Sequence, residues 1–335
     1  MVVTNPVGHV RPALPAAIRQ AWQFSPMLIL FVGANVGFFA VSFAGLLTDP
    51  RLILGAPAWA KTLKFSMSFV IYGATLLWML GYVKTRPRAA RIVAFATGAI
   101  LLAEMVLLAL QAARGHAIHF NQSTLFDTLV WRLMSIGISI FYLFDIIGGV
   151  LIARETFVNP ALGLGIKLGI MMALIGFGLG FLMVVPNAAQ LPILMRGGHL
   201  DYIGAHTVGA LVDGQTGMIP ILGWNMDGGD LRIPHFIGIH GAQFIPLVAG
   251  IAMLLGARGA RGVDGKRGLS VTRQRALVVV GAAFYFGLTM LVLWQALRNE
   301  SIVSPSAATL AVLAALGLVT LASATVVILF RRSHA

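Results

Sequence analysis

Eight apolar stretches, each long enough to cross a bilayer, follow one another along this chain: residues 27–48, 62–82, 91–113, 124–153, 161–186, 235–257, 276–297 and 306–330. A spanning helix needs about 20 apolar residues, and lipid accepts an apolar surface that water would not. With 58% hydrophobic residues, 10% charged residues and a mean hydropathy of +0.89, a soluble fold would have too few polar groups to cover itself; soluble domains carry about one-quarter charged residues. The fold class expected is an all-α, polytopic integral membrane protein of about eight transmembrane helices.

The net charge of +13 would suggest nucleic acid in a soluble protein, but its distribution follows the spans instead. Lys84, Arg86, Arg88 and Arg91 lie between the second and third stretches, and Arg258, Arg261, Lys266, Arg267, Arg273 and Arg275 lie against Asp264 between the sixth and seventh. Arg331 and Arg332 follow the last stretch, whereas the 187–234 connection sets Arg196 and Arg232 against Asp201, Asp213, Asp227 and Asp230. Positive loops stay cytoplasmic on insertion, so both termini are expected inside and 187–234 outside. Residues 1–26 form a cytoplasmic segment, 27–330 one helical membrane domain, 258–275 a cytoplasmic linker and 331–335 a cytoplasmic tail. Residues 1–25 lack the apolar core of a cleaved signal, and the first span serves as an uncleaved anchor. The expected location is a bacterial inner or plasma membrane, with membrane lipids and other membrane subunits as partners and no nucleic acid. The chain has no cysteine, which excludes disulfides, thiolate nucleophiles and Cys-held clusters.

The 187–234 connection is rich in Gly, Asp and Pro and shows no periodic structure. Connections of that kind are lids or binding loops more often than spacers. No inverted repeat is visible, which weighs against a secondary-transporter fold. Gly176 and Gly180, four apart in GFGLG, match the small-residue pattern that lets helices approach closely.

Histidines gather at the outer ends of the spans. His116 and His119, at the end of the third stretch, share one side of the chain if the helix continues through them. His235 and His240 open the sixth stretch five residues apart, about 140° from each other on a regular helix, so they face one metal only if that turn is distorted. His240 has Gln243 on its own side and Gly238 and Gly241 beside it, which would leave room for something flat or bulky. A polar group in lipid is costly and commonly functional. The lid adds His199, His206 and the carboxylates Asp213 and Asp230; histidine with carboxylate suits zinc or non-haem iron, while Asx turns at DG and DGG need no ligand. Trp59, Lys61 and Lys64 stand where the second stretch begins, either as interfacial anchors or as a site for an anionic substrate group. Asp127, three residues after Thr124, reads as a helix cap. Asn121-Gln122-Ser123 matches a glycosylation acceptor, a motif of little information.

Four charges lie deep inside spans. Glu104 and Arg132 reach similar depths, roughly 12–14 Å from the outer side, and Asp145 and Lys167 similar depths, about 9–12 Å from the inner side, at the helical rise. Each couple is expected to pair, because an isolated charge there costs several kcal/mol. The function expected first is a metal-dependent membrane enzyme acting on a lipid or other apolar substrate at the outer face. Its metal, zinc, iron or copper, would be held by His116, His119, His206, His235 and His240, with Lys61, Lys64, Asp213 and Asp230 as catalytic or anchoring groups. A b-type haem or quinone electron-transfer protein, with His240 and one of His116 and His119 as axial ligands and Gln243 in the cofactor site, an accessory subunit of a larger complex, and a transporter are the alternatives.

Overall fold

A computed structural model describes residues 14–215, 217–220, 222–260 and 268–329. Arg261, Asp264, Lys266 and Arg267 of the expected linker, and Arg331 and Arg332 of the tail, lie outside the described residues. The helices are α1 (Leu14–Phe24), α2 (Pro26–Thr48), α3 (Ala60–Leu80), α4 (Pro87–Arg114), α5 (Leu125–Ala153), α6 (Pro160–Gly180), α7 (Leu191–Met195), α8 (Arg232–Ile239), α9 (Gly241–Ala260), α10 (Val271–Leu297) and α11 (Ala307–Leu329). Two-residue strands, Leu52–Ile53 and Ala56–Pro57, form a small hairpin between α2 and α3. Among the described residues seven helices are long and apolar enough to cross a membrane, and α8 with α9, bent by 42°, pass as a pair, a broken span or a re-entrant loop. The chain is thus an all-α, multi-pass integral membrane protein.

Local chemistry sets the helix ends. Ser25 and Asn159 accept backbone N–H groups of the first turns of α2 and α6, each followed by a proline at the first helical position, where its missing N–H costs nothing. Gly115 ends α4 in the left-handed region at φ 76°. The helix therefore stops before His116 and His119, and their spacing is not helical.

Two compact units make up the chain: residues 1–51, 57–115 and 133–155 form the first, and residues 52–56, 116–132 and 156–335 the second. In the first unit α2 packs on α3 and α4. Gly73 of α3 meets Phe31 and Val32, and Gly98 of α4 meets the backbone of Met27 and Leu28. At one end of this unit Asp49 accepts from Arg51 Nη2 (2.6 Å) and from the Trp59 indole (2.8 Å), while Arg51 Nη1 donates to the Ala113 carbonyl (3.0 Å). Trp59 is thus a structural donor, packed over Gly45. These donors hold the Asp49 carboxyl well below the ordinary carboxylate range. At the other end Glu155 accepts from the Thr85 amide (2.9 Å) and hydroxyl, which lowers its pKa as well.

In the second unit α6 turns a small-residue face toward α8 and α9. Gly176 lies against the backbone of Gly238 and Ile239, and Gly169 meets the Gly241 carbonyl and the Pro246 ring. The close-packing reading of Gly176 holds, and Gly180 makes room for the His235 ring. The bend between α8 and α9 frees the Ile237 carbonyl, which the Tyr285 hydroxyl of α10 satisfies at 2.6 Å. Met172, Ile245, Ala249, Val278 and Tyr285 form the core around it.

The expected intramembrane ion pairs give way to other partners. Asp145 accepts from the Tyr72 hydroxyl at 2.8 Å, and Lys167 Nζ lies 5.7 Å from the centre of the Phe157 ring. Glu104 is buried and Arg132 is exposed, and neither has an ion-pair partner among the described residues. Depth alone did not predict these partners, because it ignores the direction in which each side chain leaves its helix.

Candidate functional site

The 187–234 connection is a built structure rather than a loose loop. Gln190, fully buried, donates to the carbonyls of Tyr202 (3.3 Å), Gly204 (3.1 Å) and Leu211 (2.7 Å) and accepts from the Gly204 amide at 2.9 Å. Asn187 donates to the carbonyls of Thr207 (3.2 Å) and Ala210 (2.6 Å). Residues 201–203 run against 120–122 through Gln122 N to Asp201 O (2.7 Å) and Ile203 N to Phe120 O (3.1 Å). Gly204, at φ 97°, passes between the Met183 carbonyl and the Phe120 ring where no side chain fits. Val208 N bonds Gly229 O (3.0 Å) and Leu231 N bonds His206 O (2.9 Å), which ties His206 to the start of α8.

His206 is the best-defined ring of the site. The Asp213 carboxylate takes its Nδ1 through one oxygen and its backbone amide through the other at 3.1 Å. Both the ring and the backbone of His206 are thereby oriented, and because a carboxylate only accepts, the proton of this contact sits on Nδ1. The His119 ring stands 5.9 Å from that of His206, centre to centre. Phe120 lies 5.0 Å from His206, and Trp131 lies 5.6 Å from His119. Phe120, Met183, Leu231 and Ala296 form an apolar floor on which Trp131 and Tyr202 pack. His206 is 8% exposed, so its ring meets little bulk water.

The other candidate residues go elsewhere. His116 Nδ1 meets the Asp127 carboxylate at 3.1 Å, so His116 and His119 part company beyond Gly115 instead of sharing a ligand. Asp127, fully buried, belongs to the helix cap expected: Thr124 Oγ1 accepts its amide at 3.1 Å and donates to its carboxylate at 2.7 Å. Partial burial, followed by the charges of Asp127 and Asp201, raises the pKa of Tyr202. His235 Nδ1 lies 2.8 Å from the Gly176 carbonyl. His240 caps α8 at the bend, its Nδ1 3.2 Å from Gln243 Oε1. The clearance expected beside it is filled, because Gly238 meets Gly176, and Gly241 meets Met172 and Tyr285. Asp230 is occupied by Arg232 Nη2 (2.5 Å) and the Asn225 amide (2.8 Å) and so organises the start of α8. His199 pairs with Asp201 at 3.4 Å in the open. Asn121 is 1% exposed and donates to the Ala117 carbonyl, a position closed to glycosylation. Lys61 and Lys64, both half-buried, stand in the first turns of α3 in the other unit.

Among the described residues no three of His, Asp and Glu converge to hold a metal ion. The donor set therefore does not fit the metal centre expected, and the space a haem would need at His240 belongs to α6. Asn187, Gln190 and Asn299, whose Oδ1 accepts the Gly229 amide at 3.0 Å, were not singled out in the sequence; a lone amide at the end of an apolar span was the available signal. No family model, characterised protein or solved structure matches this chain. What the site does must be read from its own chemistry.

Proposed function

We propose that the protein is an integral-membrane enzyme that moves a proton at the polar group of a lipid or other apolar substrate, with His206 as the acid–base group. Asp213 orients the ring and stabilises the imidazolium that forms, as carboxylates do for catalytic histidines. His119 is the second titratable ring. Phe120 and Trp131 offer an apolar wall to a hydrocarbon chain, and the connection around Gln190 keeps bulk water from the reacting group. The observation that carries this reading is the carboxylate-held His206 beside His119 over an apolar floor. Buried histidines held by a carboxylate are recurrent in acid–base sites.

The orientation proposed follows from charge: the connection bearing Lys84, Arg86 and Arg88 stays cytoplasmic, which puts the site on the opposite, outer side of a bacterial inner or plasma membrane. A reporter fused after Arg88 should read as cytoplasmic; an external signal there reverses the orientation. For the chemistry, purified protein in detergent should be incubated with a total bacterial lipid extract and the products followed by mass spectrometry. A lipid species should be consumed by the native protein and spared by His206→Ala. An extract left unchanged by the native protein, or changed equally by the variant, contradicts the proposal.

A further inference from the structure

The first unit holds a stripe of buried polar groups that the site above does not use. Thr97, Glu104 and Gln111 recur every seven residues on α4, and Asn35 and Ser42 do so on α2, so each set lies along one side of its helix at two-turn intervals. All are buried, from 0% to 6% exposed. Asn35 Oδ1, Ser42 Oγ and Thr97 Oγ1 have no hydrogen-bond partner among the described residues, and Glu104 has neither a hydrogen bond nor an ion pair there.

Packing contacts set the levels. Gly98 of α4 lies against Met27 and Leu28 of α2; for two helices that cross in the same direction, Glu104 is then level with Asn35. On α5, Gly137 faces Glu104, and a Cβ there would stand 2.5 Å from Glu104 Oε1; Gly148 faces Val93. Between these contacts the antiparallel register brings Asp145, bonded to Tyr72, level with Thr97. The two acids are thus about 10 Å apart along the unit, the rise of two helical turns, with the Thr97 hydroxyl at the level of Asp145.

A carboxylate with no cation in such a setting costs several kcal/mol, whereas the neutral acid costs far less. The Asn35 oxygen needs a donor, the Ser42 and Thr97 hydroxyls can each accept or donate, and a proton on Glu104 or a water carrying one is a donor. A bound sodium ion would need several oxygens around one point, but these oxygens are spread over levels about two turns apart. We infer that Glu104 is a proton-binding carboxyl, protonated at neutral pH and exchangeable, on a proton path that reaches Asp145. The ionisable groups facing it are few. The helix α2 has none, α3 brings Tyr72 with Lys61 and Lys64 in its first turns, and α5 brings Asp127 and the exposed Arg132 near its start with Tyr142 and Asp145 further along. This inference stands apart from the acid–base site and survives if that site fails.

Dicyclohexylcarbodiimide tests it, since this apolar reagent takes up only protonated carboxyls. The acid O–H adds across one N=C bond to give an O-acylisourea, which rearranges to a stable N-acylurea with no redox change. Full-length protein should be treated in detergent and its peptides mapped by mass spectrometry. Expected are labelling at Glu104, loss of that label as pH rises, no protection by sodium, and no label at position 104 in Glu104→Gln. Gly137→Ala, which pushes on the carboxyl, should change the labelling rate. Infrared spectra of the native protein provide a readout that needs no variant: a protonated-carboxyl band that shifts in D2O is expected. Absence of both label and shifting band makes Glu104 a sealed structural acid and overturns the inference, and protection by sodium overturns it in favour of a metal-cation site.

Discussion

The two units treat buried polar groups in opposite ways. In the first, the described residues include three buried oxygens without partners, Asn35 Oδ1, Ser42 Oγ and Thr97 Oγ1, together with the unpaired Glu104; in the second, no described buried side-chain atom is left unpartnered. The second unit buries long non-helical backbone, and every amide and carbonyl there needs a partner, which Gln190, Asn187, Asp230 and Asn299 supply. The first unit is built of straight helices whose backbones satisfy themselves. Its three unpartnered oxygens are therefore surplus to folding, and surplus polarity in a membrane points to a role. The difference separates a region where polar groups hold a shape from one where they remain available.

The sharpest way to break this contrast is to attack the tight crossing of the second unit. Gly176→Ala should cost about 3 kcal/mol or more, because the added Cβ meets the backbone of Gly238 and Ile239, which cannot step aside. Gly250→Ala, with open space around it, should change stability by less than about 0.5 kcal/mol. Thermal unfolding in detergent reads both, and equal effects would deny that the crossing is close. Next in size is Gln190→Ala, which strips donors from three carbonyls and should cost about 2–3 kcal/mol. Hydrogen exchange should rise across residues 200–211 and not in α2; exchange unchanged in both would show that the connection does not hang on Gln190.

The smallest effect expected belongs to the first unit. Arg51 and Trp59 depress the Asp49 pKa, so the stabilisation from ionised Asp49 is complete above the ordinary carboxylate pKa of about 4. It is lost as pH falls through the lowered folded value. Asp49→Asn should therefore melt slightly lower than the native protein at neutral pH, and the two melting curves should draw together on acidification. A gap that widens at low pH would contradict the assignment.

The spans were legible because their signal is local: an apolar run longer than about 20 residues has little alternative to crossing. The capping role of Asp127 was legible for the same reason, since Thr124 is three residues away. The site was only half legible. His206 and Asp213 were both candidates, but their contact depends on a connection folded by Gln190, and no periodicity announces that fold. His116 and His119 were read as neighbours on a helix that Gly115 in fact ends. The charge pairs failed because depth along a span fixes one coordinate of a side chain and leaves its direction around the helix open. The glycines beside His240 were read as space for a ligand, yet a glycine shows only that something approaches closely, and here it is α6.

The claim at the centre is that Asp213 makes His206 an acid–base catalyst, and lipid turnover by Asp213→Asn tests it most directly. The substitution keeps the size of the side chain and removes the charge that orients and stabilises the ring. With the native protein converting a lipid species, both Asp213→Asn and His206→Ala should lower the rate by about 10²–10⁴-fold, the range that acid–base catalysis contributes, with thermal stability reduced far less than by Gly176→Ala. A turnover rate in Asp213→Asn equal to that of the native protein would contradict the account.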